Sequence, residues 1–516
     1  MTAPAPYLSD MKLYRSILVA AAMTVISFPP ADAEKLVILH TNDTHSQIDP
    51  DDRDGLGGIA RRKVIIDSVR AADRNVMLID AGDFVQGTLY FNLYRGKVEQ
   101  EMMNALGYDL RILGNHEFDN GIDELADVLA DSESELVATN YDLSATPLAR
   151  EFKPFTIREF GDKTVGFIAI NLDPKGMISE GNYNGLVYND AVKAANAAAW
   201  WLKHIDKVDA VIAVTHIGYD PTMPPGDKML AGLSEDIDII IGGHSHDLIK
   251  PDGSNKDLAP EVPNADGRDI LVTQTGKQGK YVGRIEIDLD SLTTDYSLIR
   301  VDSRLDNRLD KALLDKIKPY RAGVDSLMTL PIGRSAIDLP KESQELLNFA
   351  SDFVLAEGRQ LAPDVDFAIV NKGGLRCGLN KGNITEGEII CMLPFYNYVN
   401  VLDVKGKDLM EVFDVMARTD GNGVSESVDA VYDPATGRCL SVTVGGKPLD
   451  PARTYRIATI DYLAKGGDYM TALTRGTTVA KSPKVLYQAM IDAFRKGHLK
   501  GKTVRPSSTV RMHPAS

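Results

Sequence analysis

Cysteine is scarce in this chain: three residues among 516, at positions 377, 391 and 439. No two of them form a CxxC pair, so the thiols carry no visible metal or redox chemistry. In an oxidising compartment they allow one disulfide and leave one free thiol, and the sequence does not say which two pair. Positive charge is also short. Lys and Arg number 57 against 73 Asp and Glu, a formal net charge of −16. An acidic surface repels a nucleic-acid backbone and an anionic membrane, which argues against duplex binding. It repels phosphate too, so a phosphate site must bring its own metal ions or arginines. Long apolar runs are missing beyond residue 28, and the last residues, 511–516, carry no hydrophobic anchor. Internal repeats and low-complexity tracts are missing as well.

The one apolar run is N-terminal. Lys12 and Arg15 form a short basic region, residues 16–28 are mostly apolar, and Ala31-Asp32-Ala33 is a small-x-small cleavage site. That combination reads as an export signal over 1–33, with Met11 an alternative start. The run is short for a membrane span. A periplasmic or secreted protein with no membrane anchor after signal removal is expected.

A length of 516 residues exceeds one typical core and predicts two domains, or three. Over 34–302 short aliphatic runs (35–40, 76–79, 165–170, 210–214 and 237–241) alternate with helical patterns such as 190–205, which predicts an α/β domain. Residues 303–326 have apolar positions at helical spacing. They predict a linker helix within 303–329, with Pro319 as a point of kinking or termination. A second mixed α/β domain is expected over 330–516.

Five motifs follow or close these apolar runs: LHTNDTH with Asp43 and His45, DAGDF with Asp83, GNHEFD with Asn115, His116 and Asp119, VTHIG with His216, and GGHSH with His244 and His246. At a strand end, residues i and i+2 point to one side, so Asp43 and His45 are expected to reach one cation. Taken singly, a strand-end Asp or Asn is a turn residue or cap, and a His a surface or core residue. Together, five of the nine histidines (His45, His116, His216, His244 and His246) stand in these motifs within two residues of a glycine, an acid or another histidine. Loops after strands in an α/β sheet gather at the carboxyl edge, where sites form. Imidazole and carboxylate suit Zn, Mn or Fe.

In this order the motifs resemble those of the calcineurin-like metallophosphoesterases. The strings ILHTNDTHSQ, GNHEFDNG, VTHIGYD and GGHSHD look like the 5′-nucleotidase branch of that family. The resemblance implies an N-terminal sandwich of two mixed sheets flanked by helices, plus a C-terminal mixed α/β substrate-binding domain. It implies two divalent metal ions, zinc, manganese or similar. Asp43, His45 and His246 would hold one ion, Asn115, His216 and His244 the other, and Asp83 would bridge them. A hydroxide made at such a pair attacks phosphorus in line with the leaving oxygen. His116 would be protonated and stabilise the transition state, with Asp119 orienting it.

The second domain carries NKGGLR, LPFYN and DYLAKGGD. A glycine pair before an arginine lets backbone approach a ligand while the guanidinium binds an anion. The resemblance makes Arg376 a nucleotide contact, Phe395 and Tyr462 stacking partners of the base, and Asn397 and Asp468 hydrogen-bonding partners of base or ribose. The chain departs from the family at Lys372, Lys465, Tyr462 and Leu347. A secreted 5′-nucleotidase acting on a small phosphate ester is expected. Alternatives are a UDP-sugar or 2′,3′-cyclic nucleotide hydrolase, a thiosulfohydrolase-like enzyme of the same architecture, or a non-catalytic nucleotide- or metal-binding protein. His116 and Asp119 argue against the last, because a pure binder needs neither.

Overall fold

The computed structural model describes residues 35–515 apart from 52, 53, 223, 420 and 421. The export signal expected over 1–33 lies outside the described residues. In the strand Lys35–Thr41 side chains alternate between two faces, and both faces are apolar. Leu36 and Ile38 enter one core and Leu39 another. Ala210–His216 does the same, with Ile212 and Val214 on one side and Val211 and Ala213 on the other. Strands buried on both faces require layers on both sides.

Those layers form a sandwich. A seven-stranded sheet runs in the order Thr294–Arg300, Tyr281–Asp288, Lys35–Thr41, Val76–Asp80, Leu110–Arg111, Glu135–Val137 and Phe152–Lys153. A six-stranded sheet runs Glu261–Pro263, Asp269–Thr273, Ile239–Ile241, Ala210–His216, Lys163–Asn171 and Phe155–Phe160. Both mix parallel and antiparallel pairs. One core lies between the sheets, and helices cover the outer faces. The mixed α/β sandwich expected for this half is what the structure shows.

Three elements differ from expectation. The strand expected over 237–241 is only Ile239–Ile241. Asp238 instead accepts from Val211 N at 2.8 Å and pairs with Lys203 and Arg268. The helix expected over 190–205 is α-helical only over Ala191–Trp201, capped by Asp190. It then widens into a π turn, Leu202–Asp206, where Leu202 packs against Gly166 of the strand beneath. The segment read as one linker helix is a 3₁₀ turn, Ser303–Arg308, followed by the α-helix Lys311–Met328. Asp310 accepts from Ala312 N and Leu313 N, which starts the helix there, and Pro319 lies inside it without ending it.

That helix fastens the N-terminal half. Leu313 and Ile317 belong to its core, Tyr320 donates to Glu101 at 2.7 Å, and Arg321 pairs with Asp49. Beyond it, a five-stranded sheet, Gly423–Val424, Phe367–Val370, Thr454–Ile460, Tyr398–Lys405 and Thr477–Val485, packs with the helix Gln344–Leu361 over a separate core. Leu89 of the N-terminal half is part of that core. Cys377 and Cys391 form a disulfide, and Cys439 is a buried free thiol. Among the described residues no helix is long and apolar enough to cross a membrane.

Candidate metal centre

Parallel pairing brings the five motifs to one end of the sandwich. Lys35–Thr41, Val76–Asp80 and Leu110–Arg111 are parallel neighbours in one sheet, and Ala210–His216 and Ile239–Ile241 in the other. The loops leaving their carboxyl ends therefore meet. Asp43 and His45 do not converge by strand alternation, as the sequence reading had it. The strand ends at Thr41, and both residues have left-handed φ, 50° and 48°. The loop is held instead against its neighbour: Asp43 N donates to Gly82 O and His45 N to Asp83 O, at 2.9 and 3.0 Å. Asp83, His244 and His246 are left-handed as well. For non-glycine residues this costs about 1–3 kcal/mol each and persists only where the surroundings impose it. Gly82 and Gly114 make the convergence sterically possible. A Cβ on Gly114 would stand 2.2 Å from Asp83 Oδ1, and one on Gly82 2.7 Å from Gly114 N.

Two groups of ligand atoms result, each within 4.8 Å: Asp43 with His45 and His246, and Asp43 with Asp83 and His216. Asp43 is common to both. His246 Nε2 lies 3.3 Å from Asp43 Oδ1 and 2.9 Å from His45 Nε2. His216 Nε2 lies 3.2 Å from Asp83 Oδ2. Asn115 and His244 complete the cluster, Asn115 Oδ1 standing 3.0 Å from His244 Nδ1. All seven candidates are thus brought together.

The donor set fits divalent cations. Asp43 Oδ1 and His216 Nε2 are buried without a hydrogen-bond partner, a costly state for a carboxylate oxygen and an imidazole nitrogen unless a cation accepts their lone pairs. Outer contacts fix the orientations. His216 Nδ1 donates to Ala81 O at 2.7 Å, which turns Nε2 inward. His244 N donates to Asp43 Oδ2, and so does Asn42 Nδ2.

His116 sits beside this cluster in the 3₁₀ turn His116–Phe118. Its N–H donates to Asp83 Oδ1 at 2.8 Å, and its Nδ1 is 2.9 Å from Asp119 Oδ2. Burial opposes a charge on this ring, but the carboxylates of Asp119 and Asp83 outweigh it and raise the pKa.

From the C-terminal half, Arg376 reaches over the same cluster. Its Nη2 is 3.4 Å from His45 Nε2, and its guanidinium lies 6.0 Å from the Phe395 ring centre. Phe395 stacks on His116 at 5.9 Å. Tyr462 and Asp468 are engaged with each other: the Tyr462 hydroxyl donates to Asp468 Oδ1 at 2.8 Å, and Asn371 Nδ2 donates to Asp468 Oδ2 at 2.7 Å. Asn397 lines a cavity together with Phe395 and Asn371. Among the described residues no ring contact joins Phe395 to Tyr462.

Two supporting residues were not singled out in the sequence. Glu117 accepts from the backbone N–H groups of Asp83, Phe84 and Gly114, at 3.1, 2.8 and 2.5 Å. It clips the second motif to the third. Burial, with the Asp83 carboxylate next, raises its pKa to about 7. Asn42 accepts from Thr275 N and donates to Gly276 O, both at 2.8 Å, anchoring the first loop. Both residues lie inside motif strings, and that position was the only available signal.

Residues 36–248 match the family model described as calcineurin-like phosphoesterase, and residues 327–475 match that of the 5′-nucleotidase C-terminal domain. The chain is 28% identical to human 5′-nucleotidase over 502 residues, covering 87% of this chain and 86% of the human protein. It is also 28% identical to the trifunctional nucleotide phosphoesterase protein YfkN of Bacillus subtilis, covering 91% of this chain but only 34% of that longer protein. The crystal structure of a 5′-nucleotidase precursor from Thermus thermophilus superposes with a TM-score of 0.82 at 29% identity, over 93% of this chain and 99% of that one. The chain thus carries a calcineurin-like phosphoesterase domain followed by a 5′-nucleotidase C-terminal domain. It is accordingly a phosphate-ester hydrolase of a family that works with a dinuclear metal centre.

Proposed function

We propose that the chain is a 5′-nucleotidase that releases phosphate from nucleotides outside the cytoplasm. The observation that carries this reading is the meeting of Arg376 and Phe395 with His45 and His116, which puts an anion-binding side chain and a flat ring directly over the metal cluster. The export-signal pattern of 1–33 supports the periplasmic or secreted location.

In this reading Asp43, His45 and His246 would hold one divalent cation, Asn115, His216 and His244 the other, and Asp83 would serve both, with zinc or manganese suited to the donors. Such a pair supplies Lewis-acid polarisation of the phosphoryl oxygens and acidifies water at neutral pH. His116 keeps its proton-donating Nε2 free because Nδ1 is committed to Asp119. That edge donates to the phosphoryl or leaving oxygen as negative charge develops. Arg376 binds the substrate anion. Phe395 and Tyr462 cover the base, and Asn397 and Asp468 bond base or ribose.

The test is phosphate release by metal-reconstituted protein from AMP, UMP, UDP-glucose, 2′,3′-cyclic AMP and a non-nucleotide monoester. Clear preference for 5′-monophosphates is expected. Equal rates on all five contradict the nucleotide assignment.

A further inference from the structure

Arg376 and Phe395 come from two segments that are covalently tied to each other. Cys377 directly follows Arg376, and Cys391 stands four residues before Phe395. The two cysteines form a disulfide across a sequence separation of 14, with a Cα–Cα distance of 5.5 Å. Next to it, Arg376 N donates to Met392 O at 3.1 Å. These ties are adjacent rungs between the turn that carries Arg376 and the end of the helix Glu386–Met392, from which residues 393–395 continue. A few residues beyond the rungs, the guanidinium and the Phe395 ring come within 6.0 Å of each other over His45 and His116.

The Arg376 turn is anchored upstream, where Lys372 N donates to Asn422 Oδ1 at 3.0 Å and Leu375 is buried in the C-terminal core, and at Arg376 itself by the bond to Met392 O. It contains Gly373-Gly374, and its bonds Gly374 N to Asn371 O and Leu375 N to Lys372 O are local. The helix on the other side is firmly started by a reciprocal capping box between Thr385 and Glu388. A bond from that helix to Cys377 therefore ties the residue next to Arg376 to a firmly started helix. Cys439 does not compete, because it is buried in the strand Arg438–Val444 with its sulfur near Val431 O and Ser441 O. Cys377 and Cys391 are both partly exposed, so a reductant can reach them.

We infer that Cys377 and Cys391 are positioning residues for substrate recognition: their disulfide sets where Arg376 and Phe395 meet the nucleotide, so that nucleotide affinity depends on thiol oxidation while the chemistry at the metal cluster does not. This rests on the reading of Arg376 and Phe395 as nucleotide contacts. It makes the pair of sulfurs part of the specificity apparatus.

The test uses the full chain in three forms: oxidised wild type, wild type reduced with a phosphine, and the double variant Cys377→Ser/Cys391→Ser. The phosphine becomes its oxide with oxygen from water, and the disulfide takes up two electrons and two protons to give two thiols. Binding of a non-hydrolysable phosphonate analogue of AMP is measured by calorimetry, and turnover of bis(p-nitrophenyl) phosphate is measured alongside. Reduction and double substitution should each weaken nucleotide binding about tenfold. At saturating concentration the kcat for the non-nucleotide diester should stay within about twofold, and reoxidation of the wild type should restore the nucleotide affinity. Unchanged nucleotide affinity in both altered forms overturns the inference. So does equal loss on both ligands, which marks general structural damage. Arg376→Ala separates the two levels. If it binds nucleotide normally, the site reading fails and this inference with it. If it is weakened while the cysteine variant is not, only the inference fails.

Discussion

In the N-terminal half, Asp43, Asp83 and His216 are at most 1% exposed, and each is fixed by backbone bonds or by carbonyl and amide partners from neighbouring loops. In the C-terminal half, Arg376, Phe395, Asn397, Tyr462 and Asp468 are all only partly buried; the first three lie in loops, Tyr462 in the one-turn helix Asp461–Ala464 and Asp468 in the 3₁₀ turn Gly467–Tyr469. The first arrangement suits cations, whose ligands must stand within a few tenths of an ångström of fixed positions. The second suits an organic ligand that is exchanged every turnover. The difference shows where each half is fragile: the metal cluster at its loop contacts, the substrate face at the few ties that hold its turns.

The largest effect should come from the cluster. Asp83→Ala removes a side chain of the second ligand group and the acceptor of the His116 N–H. Bound metal, read by plasma mass spectrometry, should fall below two equivalents, and phosphate release should fall by about 10³-fold or more. His116→Ala should leave metal content intact and lower kcat by about 10²–10⁴-fold. Full activity in that variant would refute the assigned role. Phe395→Ala should raise KM for AMP by about tenfold, consistent with the value of a stacked base, and leave a non-nucleotide ester nearly unaffected. A fall in kcat on both substrates would erase the contrast between the halves.

A smaller effect concerns acid stability of the sandwich alone. His40 is buried without a hydrogen-bond partner, and burial lowers its pKa from 6.5 to about 3. The folded state thus holds His40 neutral while the unfolded chain protonates it below about 6.5. Its contribution is fully present above that pH and is lost as pH falls toward 3. His40→Gln should flatten the decline of denaturation midpoint between pH 6.5 and 3. An unchanged slope means that other groups govern acid unfolding.

Much of the metal half was legible because both its strands and its ligands leave short-range marks. Aliphatic runs ending in Asp, Asn or His located the strands Lys35–Thr41, Val76–Asp80 and Ala210–His216 to within about two residues. What was illegible is how the loops turn. Left-handed φ at Asp43, His45 and Asp83 is imposed by bonds between loops distant in sequence, so Asp43 and His45 come together by a route that strand alternation does not describe. Glu117 escaped notice because its partners are backbone N–H groups, which no sequence displays. The linker helix began late because Asp310 caps it, a signal outweighed by the continuous apolar spacing around it. On the substrate side the residues were named, but not the Tyr462–Asp468 bond nor the pairing of Cys377 with Cys391, both of which are set by tertiary approach.

The most direct test of the account is metal stoichiometry by plasma mass spectrometry on protein loaded with zinc or manganese and freed of excess ion, wild type beside Asp43→Ala. Asp43 holds one of the two cations in this assignment, so the account predicts two equivalents per chain for the wild type and at most one in the variant. A wild-type chain that retains no divalent metal, or a variant that still binds two equivalents, contradicts it.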